Sequence, residues 1–309
     1  MGNTLKVADV LCLGHASYDL VFSLAHHPQA DEKTVADGLF GCGGGPAANA
    51  AVTVTRLGYA SAFSGYLGND VYGDSHLKEL QAEGVDTRLV IRGGSPTPLS
   101  VVLVKPDGQR ALISYKGEAK ALSADSVGFS GVAPKVVLFD GHEPHLSLRF
   151  LEENQGNIPS VLDAGSLHDG TLALMDKVDY LVCSEKFAVQ YAGDEQSALS
   201  RLAALAPAVV ITLGERGLIW RRGADSGILS APPVEAIDST GAGDAFHGAF
   251  AAALSAAMAW PDVLRYASVA GAFCCTQMGA RLGLPSRKQH HDLLRQWESR
   301  RVLAHQIKN

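Results

Sequence analysis

Short apolar runs alternate with helix-forming segments along most of this chain. Apolar runs bounded by turn residues are typical of buried strands, and segments that begin and end with capping residues predict helices. The predicted strands cover residues 7–14, 61–66, 136–140, 160–163, 180–183 and 208–213, and the predicted helices cover residues 46–57, 74–83, 146–154, 196–205, 262–276 and 287–301. Parallel strands joined through helices form a sheet that is covered on both faces. The alternation therefore predicts an α/β fold with a doubly wound, mostly parallel sheet flanked by helices.

Two extended segments do not fit this alternation. Residues 33–40 and 99–115 are extended rather than helical, and the second contains Pro106-Asp107-Gly108, a turn sequence typical of a β-hairpin. We therefore expect a small β-sheet lid formed by residues 16–40 and 97–117. Since α/β folds often reach this length as one unit, the chain is expected to be a single domain over residues 1–309.

The composition is that of a folded globular protein. Apolar residues make up 47% and charged residues 19%, which is too apolar for a disordered chain. The net charge of −6 argues against a nucleic-acid partner, because such binding depends on clustered Lys and Arg. The longest apolar run, residues 249–260, is too short to span a bilayer, so no membrane association is expected. Five cysteines without a Cys-x-x-Cys pair, and no secretory signal, favour a cytoplasmic location.

The stretch Asp238-Ser239-Thr240-Gly241-Ala242-Gly243-Asp244 precedes a run of strong helix formers. A helix that begins here presents unpaired N–H groups and the positive end of its dipole, which favours a phosphate. Gly241 and Gly243 allow close approach, and the N–H groups of Ala242, Gly243 and Asp244 would bind negative oxygens. The Asp244 carboxylate is suited to accept a proton from an attacking hydroxyl, which predicts phosphoryl transfer.

The helix dipole is expected to lower the pKa of Asp244. The alternative to an anion site is an ordinary helix start, with Ser239 or Thr240 as its N-cap.

Two further motifs lie upstream. They are Gly43-Gly44-Gly45-Pro46-Ala47-Ala48-Asn49 and Gly68-Asn69-Asp70-Val71-Tyr72-Gly73. With the 238–244 stretch, they resemble the signatures of the ribokinase-like (pfkB) carbohydrate kinases, in the same order along the chain. Within that family the chain looks nearest to the sulfofructose kinase-type sugar kinases. The resemblance implies ATP-dependent phosphorylation of a hydroxymethyl group of a sugar, either a ketose or a related sugar acid or sulfosugar, with Asp244 as general base.

Asp19 and Asn49 are the candidate ligands of the sugar. Asp19 follows the carboxyl end of the first predicted strand, where open α/β sheets bind ligands, and carboxylates and amides suit vicinal diols. Gly44 and Gly45 would let the backbone approach the substrate. The pattern Gly43-x-Gly45-x-x-Ala48 also fits a dinucleotide-binding turn, but the strand before it and the acid about 20 residues after it are missing.

The resemblance implies two more substrate ligands. Lys33 matches a basic residue near the sulfonate of sulfosugar kinases. At the positions that align with their other anion ligands this chain departs from that pattern and has Ser114 and His142, so a sulfonated sugar is only one of the candidate substrates. His142 is therefore expected at the rim of the sugar pocket.

The predicted ATP site combines several segments. Thr212, Gly214 and Gly217 lie in a glycine-rich turn that ends a buried strand and resembles the nucleotide-binding Gly-x-x-Gly of the family. No Walker A motif occurs, so the phosphates are expected on Gly241 and Gly243. The predicted set also includes Ser184 and Ser268.

Two ions are implied by the resemblance. Mg²⁺ is expected with ATP, but the Asn-x-x-Glu motif of the family is replaced by Ser184-Glu185-Lys186-Phe187. ATP and water would then hold most of the Mg²⁺ coordination sphere, with Glu185 as the candidate side chain. Asp238, Thr240 and Gly279 match positions that hold a monovalent cation such as K⁺ in relatives.

The exposed strands of a β lid would be an edge liability in a monomer, so a homodimer that pairs them is expected. Two alternatives to a sugar kinase remain at this point. A nucleoside kinase of the same fold would stack a base on lid aromatics, for which Phe40 is the candidate. A non-catalytic sugar-binding regulator would keep the fold without turnover.

Overall fold

The computed structural model describes residues 8–106, 109–117 and 121–306, with side chains as far as residue 299. The strands are β1 (Val10–Leu13), β2 (Ser17–Ser23), β3 (Gly38–Gly44), β4 (Ser61–Ser64), β5 (Tyr66–Gly68), β6 (Ile91–Gly93), β7 (Leu99–Val104), β8 (Arg110–Tyr115), β9 (Val136–Phe139), β10 (Ser160–Ala164), β11 (Tyr180–Ser184), β12 (Ala208–Thr212), β13 (Leu218–Arg222) and β14 (Asp225–Leu229). The helices are α1 (Pro46–Arg56), α2 (Val71–Ala82), α3 (Pro144–Asn154), α4 (Asp169–Leu174), α5 (Glu185–Ala192), α6 (Glu195–Leu202), α7 (Ala242–Ser255), α8 (Trp260–Cys274), α9 (Ala280–Gly283) and α10 (Arg287–Gln306).

An eight-stranded sheet forms the centre of the molecule, in the order β14-β13-β12-β11-β10-β9-β1-β4. The six strands from β12 to β4 are parallel, and β13 and β14 extend the sheet as an antiparallel hairpin. The predicted α/β fold with a doubly wound, mostly parallel sheet is therefore confirmed. The β13–β14 hairpin is an addition that the alternating pattern did not predict.

The sheet is apolar on both faces because helices cover both. Val10 and Cys12 of β1 pack into a core with α1, α7 and α8, whereas Leu11 and Leu13 pack into a second core with α3, α5 and α6. This division follows from the two-residue period of a strand, whose successive side chains point to opposite faces. Because both faces are buried, the strand reads as a continuous apolar run.

A separate four-stranded sheet, which we call the small sheet, has the order β3-β2-β7-β8. One face packs toward the main body through Val21, Val102 and Val104, together with Phe40 and Met278. The predicted hairpin strands of 99–115 are both present, while Asp107 and Gly108 of its turn lie outside the described residues. The extended segment predicted at 33–40 is shifted, since β3 begins only at Gly38.

The longest helices among the described residues are polar on one side or buried in the core. None of them combines the length and the apolarity that crossing a bilayer requires.

Candidate active site

A pocket lies at the carboxyl ends of β9, β10, β11 and β12, beside the beginning of α7. Open α/β sheets bind ligands at this edge. The residues that line the pocket come from six separate parts of the chain. They are Pro46, Asp140, His142, Asp163, Gly165, Ser166, His168, Ser184, Thr212, Gly243, Asp244 and His247. The pocket thus brings together five of the predicted site residues, namely Asp244, Gly243, His142, Ser184 and Thr212.

The predicted helix start is present, with Gly241 as its N-cap. Gly241 has φ of 77°, and a Cβ there would lie 2.7 Å from the Cβ of Ala280. A Cβ on Gly243 would meet no heavy atom within 4 Å, because this residue faces the pocket. The N–H of Ala242 donates to Ser239 O at 3.3 Å, so this predicted anion donor already has an acceptor. The N–H groups of Gly243 and Asp244 belong to the first helical turn and have no intrahelical acceptor.

Asp244 is half-buried and has one side-chain donor, since Asn49 Nδ2 donates to its Oδ2 at 2.7 Å. Burial raises the pKa of Asp244 above its ordinary value, and the hydrogen bond from Asn49 lowers it only in part. The expectation that the helix dipole would lower this pKa is therefore wrong, because desolvation of the carboxylate outweighs the dipole. A raised pKa brings the group closer to the pH at which a general base works best.

The predicted sugar ligands meet at the ends of β2 and β3. Asp19 is buried, accepts a hydrogen bond from Ser17 Oγ at 3.0 Å, and has a pKa raised by burial. A Cβ on Gly44 would lie 2.3 Å from Oδ2 of Asp19, so the carboxylate needs a glycine opposite it. Gly45 has φ of 93° and is the N-cap of α1, whose first turn contains Asn49. Asp19, Asn49 and Asp244 are thus neighbours although they are far apart in sequence.

Asp140 organises a group of histidines at one side of the pocket. Its Oδ2 accepts from the backbone N–H groups of His15 and Ala47 at 2.7 and 3.2 Å, and its Oδ1 accepts from His142 N–H at 2.9 Å. The His142 ring stacks on His168, with 4.9 Å between the ring centroids. Burial, together with His142, lowers the pKa of His15 to about 4. His15 and His168 carry no motif, so the sequence did not reveal this group.

The structure does not bring Lys33 into the pocket. Lys33 is exposed in the irregular segment between β2 and β3, and it is not among the described pocket residues. Ser114 lies on β8 opposite Ser100. Both residues belong to the part of the chain predicted as a lid.

The predicted nucleotide residues are partly assembled. Ser184 donates from Oγ to Gly165 O at 2.9 Å and caps α5, and Thr212 lies at the end of the next strand. Gly214 and Gly217 have φ of 59° and 93° in the turn after β12. Ser268 is buried within α8 and is not one of the described residues that line the pocket.

Asp163 is a pocket residue that the sequence did not single out. It ends the predicted strand 160–163, and an acid at the carboxyl end of a parallel strand was the available signal. Burial raises its pKa well above the ordinary value, and the nearby Asp244 and Asp140 raise it further. His247 Nδ1 lies 3.2 Å from its Oδ2. A cation bound here would compensate for the burial of this carboxylate.

Glu185, which was suggested near Mg²⁺, forms an ion pair with Arg216 at 2.7 Å. Within the described residues, no group of three or more His, Cys, Asp or Glu side chains is arranged to hold a metal. Mg²⁺ typically uses one or two carboxylates together with phosphates and water. The donors in the pocket are compatible with that mode of binding.

The three residues predicted for a monovalent cation converge on the Asp238 carboxylate. Its Oδ1 accepts from Thr240 N–H and Oγ1 at 2.9 and 2.6 Å, and its Oδ2 accepts from Gly279 N–H at 2.8 Å. Burial raises the pKa of Asp238, but these hydrogen bonds outweigh it and the pKa is lowered. Arg110 of the small sheet also forms an ion pair with Oδ1. Both carboxylate oxygens are therefore already engaged.

Comparisons with known proteins agree on one family. The pfkB family carbohydrate kinase profile matches residues 7–287. The chain is 28% identical over 292 residues to a ribokinase of Bacillus subtilis (strain 168), covering 93% of this chain and 99% of that protein. It is 26% identical over 318 residues to the probable fructokinase-4 of Arabidopsis thaliana, covering 93% and 96%. A ribokinase structure from Thermotoga maritima superimposes with a TM-score of 0.84 at 24% identity, covering 93% of this chain and 99% of that chain, which supports the fold.

Proposed function

This chain belongs to the pfkB family of carbohydrate kinases, and we propose that it transfers the γ-phosphoryl group of ATP to a hydroxymethyl group of a sugar, with Asp244 as general base. The observation that carries this proposal is the position of Asp244. Its carboxylate lines the pocket at the first turn of α7, and Asn49 holds it through a hydrogen bond of 2.7 Å.

In the proposed reaction, Asp244 accepts the proton of the attacking hydroxyl as its oxygen bonds to the γ-phosphorus of ATP. The bond between that phosphorus and the β–γ bridging oxygen breaks, and ADP leaves. The N–H groups of Gly243 and Asp244 point toward the negative oxygens of the transferring group and stabilise them. Because phosphoryl-transfer transition states are loose, alignment of the hydroxyl contributes more than the basicity of Asp244. The raised pKa of Asp244 nevertheless favours proton acceptance.

Asp19 and Asn49 bind sugar hydroxyls in this proposal, and Gly44 and Gly45 give them access to the substrate. His142, stacked on His168, borders the sugar and contributes to selectivity. Ribokinases and fructokinases are among the relatives, and so ribose and fructose are the first substrates to test. A sugar acid or a sulfosugar would need Lys33 to turn inward from the segment between β2 and β3.

ATP binds along the ends of β11 and β12, with Ser184 and Thr212 on one side and the α7 helix start under its phosphates. Mg²⁺, when bound with ATP, neutralises charge on the phosphates. Asp163, a carboxylate whose burial is poorly compensated, is a better ligand for it than Glu185, which is paired with Arg216. A monovalent cation such as K⁺ is proposed near Asp238, Thr240 and Gly279, where backbone oxygens would supplement the engaged carboxylate.

The proposal is tested by measuring ADP release from MgATP with a panel of acceptors, in buffers containing either K⁺ or Na⁺. The panel consists of ribose, fructose, sulfofructose, 2-keto-3-deoxygluconate, fructose 6-phosphate and adenosine. Each assay is repeated with Asp244→Asn, which removes the base but keeps the shape of the side chain. We expect one sugar to drive turnover, and we expect the variant to bind it while turnover falls roughly 10²- to 10⁴-fold.

An unchanged rate in Asp244→Asn would remove the central assignment. Turnover with adenosine alone would identify a nucleoside kinase, and the sugar assignment would then be wrong. No turnover with any acceptor would favour a sugar-binding regulator. Equal rates in K⁺ and Na⁺ would exclude a K⁺-activated site at Asp238.

A further inference from the structure

A buried arginine next to the pocket has no part in the reaction described above. Arg281 lies on α9, directly after the Gly279 turn, and only 2% of it is exposed. Its Nε donates to Asn49 Oδ1 at 3.1 Å, and its Nη2 lies 3.2 Å from His76 Nε2. Its Nη1 lies 3.3 Å from Glu79 Oε1, an ion pair whose geometry falls short of a hydrogen bond within the described residues. A buried guanidinium is costly unless it is paired in this way.

The contact with Arg281 determines how the Asn49 side chain is oriented. An amide has an accepting oxygen at one end and a donating nitrogen at the other. Because Arg281 donates to Oδ1, Nδ2 must face Asp244, and it donates there at 2.7 Å. The opposite orientation would place the amide oxygen against a carboxylate and the NH₂ group against a guanidinium. Both contacts would be repulsive in this buried setting.

The guanidinium is itself held from the other side. Glu79 pairs with Arg281 through Oε1, and its Oε2 accepts from Gly43 N–H at 2.6 Å. A Cβ on Gly43 would lie 2.3 Å from the His76 ring and 2.9 Å from Arg281 Nη2, so the side chains fill this space. His76 Nε2 has to accept from Arg281, which requires a neutral imidazole. Burial, reinforced by Arg281, keeps the pKa of His76 well below its ordinary value.

We propose that Arg281 is a positioning residue for phosphoryl transfer: it fixes the orientation of the Asn49 amide and thereby the position of the Asp244 carboxylate. Glu79 and His76 keep the guanidinium in place. This inference rests on the proposed role of Asp244 as general base. A planar guanidinium is needed because one group must reach Asn49 and Glu79 at once through different nitrogens. A lysine ammonium carries all its donors on a single nitrogen and cannot occupy both positions.

A double-mutant cycle between Arg281 and Asn49 tests the proposal. Arg281→Gln is expected to lower kcat by about 10- to 100-fold, the range for a misplaced catalytic group, with little change in the KM for ATP. In the Asn49→Ala background the same change is expected to lower kcat less than about twofold further, since the residue through which Arg281 acts is gone. Arg281→Lys keeps the charge and interferes less with folding, and it is carried through the same cycle. It is also expected to lower kcat when Asn49 is present and to have little further effect in the Asn49→Ala background.

The pH profile gives a second readout. Loss of the Asn49 hydrogen bond removes a contact that lowers the pKa of Asp244, so the acid limb of kcat/KM is expected to move to higher pH in Arg281→Gln. The other titratable side chains close to Asp244 are still present in this variant. They are His247 on α7, Asp140 after β9, Asp163 on β10 and Asp19 on β2. Among them Asp19 also loses the Arg281 charge, which lowers its pKa in the parent chain.

Arg56→Gln is the matched control. Arg56 Nη1 donates to the backbone oxygens of Arg281 and Leu284 at 3.0 and 2.9 Å, so it supports the same loop without contacting Asn49. It is expected to lower the melting temperature but to leave kcat within about twofold and the acid limb in place.

Equal fold losses from Arg281→Gln with and without Asn49 would overturn the proposal, as would a loss of the same size in Arg56→Gln. Failure of the general-base assignment is distinguishable, because Asp244→Asn would then retain its rate. If Asp244→Asn is inactive but the cycle is additive, only the role of Arg281 is wrong.

Discussion

Gly241 and Gly243 stand two positions apart at the start of α7, and only the first is required by the backbone. Gly241 has a left-handed conformation and no room for a Cβ next to Ala280. Gly243 has space for a Cβ, but that space belongs to the pocket. A glycine needed for folding is thus separated from a glycine needed for access.

Alanine substitutions distinguish these two roles. Gly241→Ala is expected to lower the free energy of unfolding by roughly 1–3 kcal/mol, because of the positive φ and the clash with Ala280. Gly243→Ala is expected to leave stability unchanged or slightly raised, since alanine is the better helix former. Its methyl group occupies the approach of the phosphate, so kcat/KM should fall about tenfold or more. Thermal unfolding and ADP release measure both; full activity in Gly243→Ala would mean that no phosphate binds there.

The residues that the sequence predicted are those whose neighbours along the chain reveal their role. Asp244 and Asn49 belong to glycine-rich motifs that run into the first turns of helices, so local pattern was sufficient. Arg281 contacts Asn49 across 232 positions, and nothing near Arg281 in the sequence indicates that contact. The predicted direction of the Asp244 pKa shift was wrong for the same reason, because the burial that raises this pKa comes from segments distant in sequence.

At the scale of elements, the start of α3 shows that burial can outweigh a helix dipole. Glu143 is the N-cap residue, where the dipole favours a carboxylate, and its Oε2 accepts from Leu122 N–H at 2.5 Å. Burial nevertheless raises its pKa from 4.5 to about 7. Between these two pH values the folded state binds more protons than the unfolded state, so Glu143 makes stability fall as pH rises.

Glu143→Gln is expected to remove this pH dependence. Near pH 5 the variant and the parent should unfold with similar free energies, and by pH 8 the variant should be more stable by roughly 1–3 kcal/mol. Urea unfolding at several pH values between 5 and 8 measures the difference. Glu153→Gln, on the exposed side of the same helix beside Arg149, is the control and should show no such trend. A constant difference across the pH range would mean that Glu143 is ionised in the folded state.

The parallel strands were predicted closely because each is a continuous apolar run between turn residues. The predicted strand 208–213 differs from β12 (Ala208–Thr212) by one residue. The β13–β14 hairpin was not predicted, because only one end of β13 is buried and β14 is mostly exposed, which weakens the apolar signal. The strand β2 was recognised only as part of the lid region, since it mixes polar and apolar residues at the site edge.

At the scale of the whole molecule, the small sheet is joined to the main body at the candidate site. Asp19 on β2 borders the pocket residues, and Arg110 on β8 pairs with Asp238 just before the α7 helix start. A movement of the small sheet would therefore change the position of Asp19 beside the pocket and of the Arg110–Asp238 pair before α7. The sequence identified the strands but not these connections, because each pairs residues more than 100 positions apart.

The outer face of the small sheet is apolar and exposed. Val21 and Val102 point to the main body, so their strand neighbours point away from it, and the register places Val101 opposite Ile113 on this outer face. Ile113 and Tyr115 are 60% and 57% exposed. A second copy of the chain would cover this face and pair the open edges of β3 and β8, which is why we propose a homodimer.

Ile113→Lys is expected to separate the proposed dimer, because it places a charge in the centre of the apolar face. Light scattering at micromolar concentration should give the dimer mass for the parent chain and the monomer mass for the variant. Ile228→Lys, at an even more exposed isoleucine on the edge strand β14 of the main sheet, is the control and should remain dimeric. A parent chain that is monomeric, or an Ile113→Lys variant that stays dimeric, would show that two copies do not meet through the small sheet.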